Sequence, residues 1–89
     1  MKHVDIRVIG KVQGVFFRAS TKNKADELGL VGTVKNEPNG DVTIEAEGQE
    51  EMIQPFLQWC ARGPKNAVVE NLIVTEGDPK NFKGFFVLR

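Results

Sequence analysis

Near the start of the chain Val4, Ile6 and Val8 alternate with His3, Asp5 and Arg7, the period of a half-buried strand with one dry and one wet face. On that alternation His3 is expected to face solvent. A glycine-punctuated turn, Gly10 to Gly14, follows; then Phe17, Thr21, Ala25 and Leu28 recur at helical spacing, with Lys22, Lys24, Asp26 and Glu27 on the outer face. Gly29 supplies the stop. Leu30 to Asn36 predicts a second strand. Asp41 to Glu47 predicts a third, with Val42, Ile44 and Ala46 set against Asp41, Thr43, Glu45 and Glu47. Between them Pro38 presets φ for a type I turn and Gly40 takes the left-handed closing position, so Glu37-Pro38-Asn39-Gly40 makes the two strands antiparallel neighbours.

A second helix is expected after Gly48. Glu50 and Glu51 stand at its positive end, Met52, Phe56, Leu57 and Cys60 form one stripe, and Arg62 closes it before Gly63-Pro64. Pro55 conflicts with a helix interior, where proline costs about 3 kcal/mol, so the helix is expected to start nearer Met52 or to kink. Ala67 to Thr75 reads as a fourth strand with a bulge, because Val69, Leu72 and Val74 change parity. After the surface loop Glu76 to Asn81, Phe82 to Arg89 reads as a short fifth strand at an edge. The order β-α-β-β-α-β plus a last strand predicts an α+β, ferredoxin-like (split βαβ) sandwich: an antiparallel sheet of four to five strands with two helices on one face, in one domain spanning residues 1–89. Strands one and two are then parallel with strand three between them. Their C-terminal ends emerge at one sheet edge, about 10 Å apart.

Composition narrows the function classes. The 89 residues are 40% hydrophobic and 27% charged, and twelve Lys plus Arg balance twelve Asp plus Glu. No net field attracts nucleic acid or an anionic membrane, so any anion preference must be local. The central strands present Asp5, Arg7, Thr43 and Glu45 rather than the exposed aromatics of an RNA-reading sheet. Cys60 is the only cysteine, which excludes an intramolecular disulfide, a Cys-rich zinc site and a paired-cysteine metal carrier. The N-terminus lacks the long apolar run of a signal peptide, so the expected location is the cytoplasm, and nothing demands more than a monomer.

The local anion site is Gly10-Lys11-Val12-Gln13-Gly14-Val15-Phe16-Phe17-Arg18. Backbone N–H groups freed in such a turn and at the start of the following helix form a concave donor site, and a guanidinium beside them adds a forked positive charge. Glycines here serve a tight connection equally well, and the Walker loop is excluded because no Gly-Lys-Ser/Thr follows. Taken singly, Arg18 fits a surface residue and Asn36 a turn-former. The topology brings them to one edge. Arg18 and backbone donors then suit a tetrahedral phosphoryl group, and the Asn36 carboxamide, too weakly basic to be a general base, suits aiming a water at phosphorus. A monoester would need a metal, an acid or a Cys or His nucleophile to release its alkoxide. A carboxylate leaving group, with a conjugate-acid pKa of about 4, needs no proton. The missing groups therefore point to an acyl phosphate.

Val8 to Arg18 resembles the first signature of the acylphosphatase family, and Gly32-Thr33-Val34-Lys35-Asn36 with Gly40, Val42 and Gly48 resembles its second. The resemblance implies that Gly10, Lys11, Val12, Gln13, Gly14, Val15 and Phe16 cradle the phosphate, that Arg18 binds it, and that Asn36 positions the water. It implies no metal and no cofactor. A small acyl phosphate is then the substrate, with inorganic phosphate or sulfate as the competing anion. Thr33 stands where the family usually carries an aromatic residue, which puts substrate preference and activity level in question through packing or contact with the acyl group. A non-catalytic module binding phosphate or carbamoyl phosphate is the alternative reading, since similar domains occur fused to maturation enzymes.

Overall fold

In the computed structural model, which describes Met1–Arg89, the elements run β1 (Lys2–Lys11), α1 (Phe17–Glu27), β2 (Val31–Asn36), β3 (Val42–Gly48), α2 (Glu50–Arg62), β4 (Val68–Gly77) and β5 (Phe85–Val87). The strand order is β4-β1-β3-β2-β5. Alternation dictates the register: Val4, Ile6 and Val8 face Ala46, Ile44 and Val42 across the central pair, and Val34 lies opposite Ile44 from the other side. These side chains are buried under Phe17 and Ala25 of α1 and Ile53, Phe56 and Cys60 of α2. Phe56 meets Phe85 edge-on at 6.3 Å and lies 6.5 Å from Trp59, which in turn tilts against Phe17 at 5.5 Å.

Local chemistry sets the helix ends. At the end of α1, Gly29 adopts φ 71°, Leu30 N–H bonds the Ala25 carbonyl and Gly29 N–H bonds that of Asp26, a Schellman closure of the predicted stop. Helix α2 begins at Glu50, not nearer Met52, and runs unbroken past Pro55. The carbonyl that proline leaves without an intrahelical donor belongs to Glu51, an exposed residue in the first turn of the helix.

Three expectations need correction. The sheet is mixed, not purely antiparallel: β5 pairs parallel with β2, Gly32 to Phe85 through Val34 to Val87, and shrinks from the predicted Phe82–Arg89 to three residues at the sheet's edge. His3 does not face solvent. It is only 2% exposed, because the segment crossing from β4 to β5 folds over the wet face and donates the Lys80, Asn81 and Phe82 N–H groups to the buried Glu47 carboxylate, whose other partner is His3. The parity change in β4 is a bulge, as expected. Ile9 pairs with Asn71 and Gly10 with Val69, leaving Glu70 as the extra residue.

Candidate functional site

The glycine turn begins later than its sequence suggests. Strand β1 continues through Gly10 and Lys11, and Gly10 takes φ 140° because a Cβ there would stand 2.2 Å from the Val68 carbonyl oxygen of β4. Gly10 thus answers to the bulged neighbouring strand. The loop proper is Val12 to Phe16. Gly14 and Phe16 both adopt the left-handed conformation, φ 73° and 63°, on either side of Val15. For phenylalanine this conformation is sterically costly. None of the N–H groups from Val12 to Phe16 has an acceptor within the protein. Helix α1 has no side-chain cap, and its first intrahelical bond is that of Ser20 N–H to the Phe16 carbonyl, at 3.0 Å. A run of free donors therefore leads into a helix N-terminus.

The parallel pairing of β5 with β2 has a consequence for this loop. Strands β1, β2 and β5 point the same way, so three C-terminal ends share one edge of the sheet: Lys11, Asn36 and Val87. A cavity of about 340 Å³ opens there, lined by Val12, Gly14, Phe16, Arg18 and Asn36 together with Phe17, Ala19 and Val87. Arg18 donates one guanidinium N–H to the Leu88 carbonyl at 2.9 Å, which fixes the fork and leaves further N–H groups for an anion. Val87 and the Leu88 carbonyl carry no sequence signal for this role; only the strand order delivers them.

Of the residues predicted for the cradle, Val12, Gly14, Phe16 and Arg18 line the cavity together with Asn36. Gly10, Lys11, Gln13 and Val15 do not. Lys11 is exposed at the end of β1, and Val15 packs against the core. The Gln13 side chain turns to the hairpin after Asn36, where its Nε2 donates to the Glu37 and Asp41 carbonyls at 2.8 and 2.9 Å. Thr33 lies outside the cavity as well. It sits on the face away from the helices, its hydroxyl 3.5 Å from Glu45, and forms no part of the pocket wall.

The cysteine and the histidine both lie away from the cavity. Burial pushes the Cys60 thiol far above its ordinary range, so it offers no thiolate at neutral pH. Burial also draws the His3 pKa down, but hydrogen bonds and charge from Glu47 and Asp5 outweigh it, and the net direction is up. For Glu47 desolvation raises the pKa, while the Lys80 N–H, His3 and the Phe82 N–H together carry it below the ordinary value. His3, Asp5 and Glu45 offer ligand-type atoms within 4.8 Å of one another. They pair among themselves and with the Lys80 ammonium, 2.6 Å from Glu45 Oε1.

Known proteins similar to this chain include ones that share its length and fold. The acylphosphatase family model matches residues 4–87. An acylphosphatase of Methylococcus capsulatus is 49% identical over 90 residues, covering 100% of this chain and 98% of its own. The crystal structure of acylphosphatase from Bacillus subtilis is similar with a TM-score of 0.97 at 36% identity, covering 100% of both chains. Full-length HypF in its phosphate- and nucleotide-bound form contains a region similar at TM-score 0.89 and 30% identity, covering 99% of this chain and 12% of that one.

Proposed function

The chain belongs to the acylphosphatase family, and on that premise we propose that it hydrolyses acyl phosphates to carboxylate and inorganic phosphate, with Arg18 and the N–H groups of the Val12 to Phe16 loop binding the phosphoryl group and Asn36 aiming the water. The observation that supports these roles is the run of N–H groups without protein acceptors beside a cavity that Arg18 and Asn36 also line. Phosphoryl oxygens accept from these donors and from the guanidinium, each charge-assisted bond contributing about 1.5–3 kcal/mol. The Asn36 carboxamide holds a water in line with the scissile P–O bond. As water oxygen bonds to phosphorus, the acyl oxygen leaves with the bonding pair as a carboxylate, and the water's proton passes to a phosphoryl oxygen. No acid is required of the protein. The exposed Phe16 ring and Val87 give the acyl group an apolar wall.

The proposal extends to one metal-independent domain over residues 1–89, acting as a cytoplasmic monomer with phosphate or sulfate as competing anions. It draws on the balanced charge and the single cysteine. No helix is long and apolar enough to cross a membrane. The test is release of phosphate from acetyl or benzoyl phosphate with a chelator present. Turnover well above the spontaneous rate is expected. Phosphate binding without turnover would instead establish the non-catalytic module.

A further inference from the structure

Gln13 lies between two residues of the cavity wall, Val12 and Gly14, yet its side chain leaves the cavity. Its Nε2 makes two short bonds to the carbonyls that open and close the β2–β3 hairpin, Glu37 at 2.8 Å and Asp41 at 2.9 Å. Both amide protons are thereby engaged. The other bonds of this hairpin run within it or to the sheet: Glu37 N–H bonds the Asp41 carbonyl, Gly40 N–H bonds that of Glu37, Asn39 and Arg7 reach the Asp41 carboxylate, and Thr43 donates to the Glu37 carboxylate, so that the Gln13 amide alone ties it to the loop. Glu37 follows Asn36 directly. The carboxamide of Gln13 is therefore a strut between the phosphate loop and the residue next to the water-positioning side chain, joining segments 24 and 28 positions apart in the chain.

We propose that Gln13 is a positioning residue that sets the separation between the bound phosphoryl group and the Asn36 carboxamide. The proposal rests on the roles assigned above to the loop and to Asn36. Two donors on one nitrogen are what the site demands. Methionine matches glutamine in length and shape and donates nothing; glutamate sets carboxylate oxygens against two carbonyl oxygens. A displacement on the order of 1 Å between reacting groups is enough to cost about 10²-fold in rate. Because Gln13 touches no wall of the cavity with its side chain, its loss acts on the water's alignment and leaves the anion donors in place.

The experiment measures kcat for benzoyl phosphate and inhibition by inorganic phosphate in the wild type, Gln13→Met, Asn36→Ala and the double variant, with thermal melts as a check on folding. Gln13→Met is expected to lower kcat by roughly 10- to 100-fold, with phosphate inhibition changed by less than about 3-fold. In the Asn36→Ala background the same substitution is expected to change kcat by less than about 3-fold, because there is no carboxamide left to misplace. Equal losses in both backgrounds, or a parallel loss of phosphate inhibition, would overturn the proposal in favour of general support of the loop. An unchanged kcat in Gln13→Met while Asn36→Ala is slow refutes this inference alone. Full turnover in Asn36→Ala refutes the role of Asn36 and this inference with it. Should Gln13→Met fail to fold, Gln13→Asn, which keeps the amide donor but shortens the arm by one methylene, is read against the same outcomes.

Discussion

In the proposed mechanism Arg18 and Asn36 divide the work of the site by chemistry that neither could exchange. A guanidinium fixed on the Leu88 carbonyl remains a forked donor of fixed charge, suited to an anion that stays charged throughout the reaction. A carboxamide is neutral and both gives and accepts hydrogen bonds, suited to a water whose oxygen must be left free to attack. Their replacements should therefore fail differently. Asn36→Ala is expected to lower kcat by about 10²-fold or more while inorganic phosphate still inhibits nearly as well. Arg18→Ala is expected to raise the phosphate inhibition constant by at least about 10-fold, the loss of one charge-assisted contact. Steady-state kinetics with phosphate as inhibitor separates the two, and equal effects of Asn36→Ala on rate and inhibition would assign Asn36 to the fold instead.

At the scale of elements, glycine is where sequence and structure most instructively part. Gly14 sits in the loop for its left-handed φ, as the motif suggests. Gly10 and Gly32 lie inside strands with φ 140° and 149°, pressed by neighbouring backbone; a Cβ on Gly32 would stand 1.8 Å from the Glu45 carbonyl oxygen. Gly32→Ala is expected to destabilise the fold by about 1–3 kcal/mol, measured by urea unfolding; a loss below about 0.5 kcal/mol would mean the β2–β3 ladder yields without strain. The split βαβ order, the antiparallel hairpin and the meeting of Arg18 with Asn36 were legible because period and turn chemistry are local signals. The parallel addition of β5 was not, since three residues do not encode which edge they join or in which direction. Burial of His3 was equally hidden: alternation assigns a side chain to a face, and a loop of distant residues decides whether that face stays wet. For the same reason Gln13 could be read as part of the loop, but not as a strut to Glu37 and Asp41.

Across the whole molecule, the least ordinary feature lies away from the cavity. Glu47 is fully buried, paired with His3 at 2.7 Å and capped by three backbone N–H groups. The two partners titrate in opposite senses. Raised above its ordinary 6.5, His3 contributes fully below that pH, and its contribution is lost as pH climbs through the folded value. Glu47, lowered from 4.5, contributes fully above that pH and is lost as pH falls through its folded value. Both contributions are complete between pH 4.5 and 6.5. Urea midpoints are expected to be highest in that window, and His3→Gln is expected to flatten the decline on its alkaline side. A variant profile parallel to the wild type would assign the alkaline loss to other groups. The same cluster also bears on the order of events in folding. His3 and the Lys80 to Phe82 segment reach Glu47 from 44 and from 33 to 35 positions away, so the knot is complete only when β1, β3 and the approach to β5 are all in place. Held in that way, it is expected to act as a brake on escape from the native state: His3→Gln should hasten unfolding more than it slows refolding in denaturant-jump kinetics, and equal changes in both rates would place the knot in the folding nucleus.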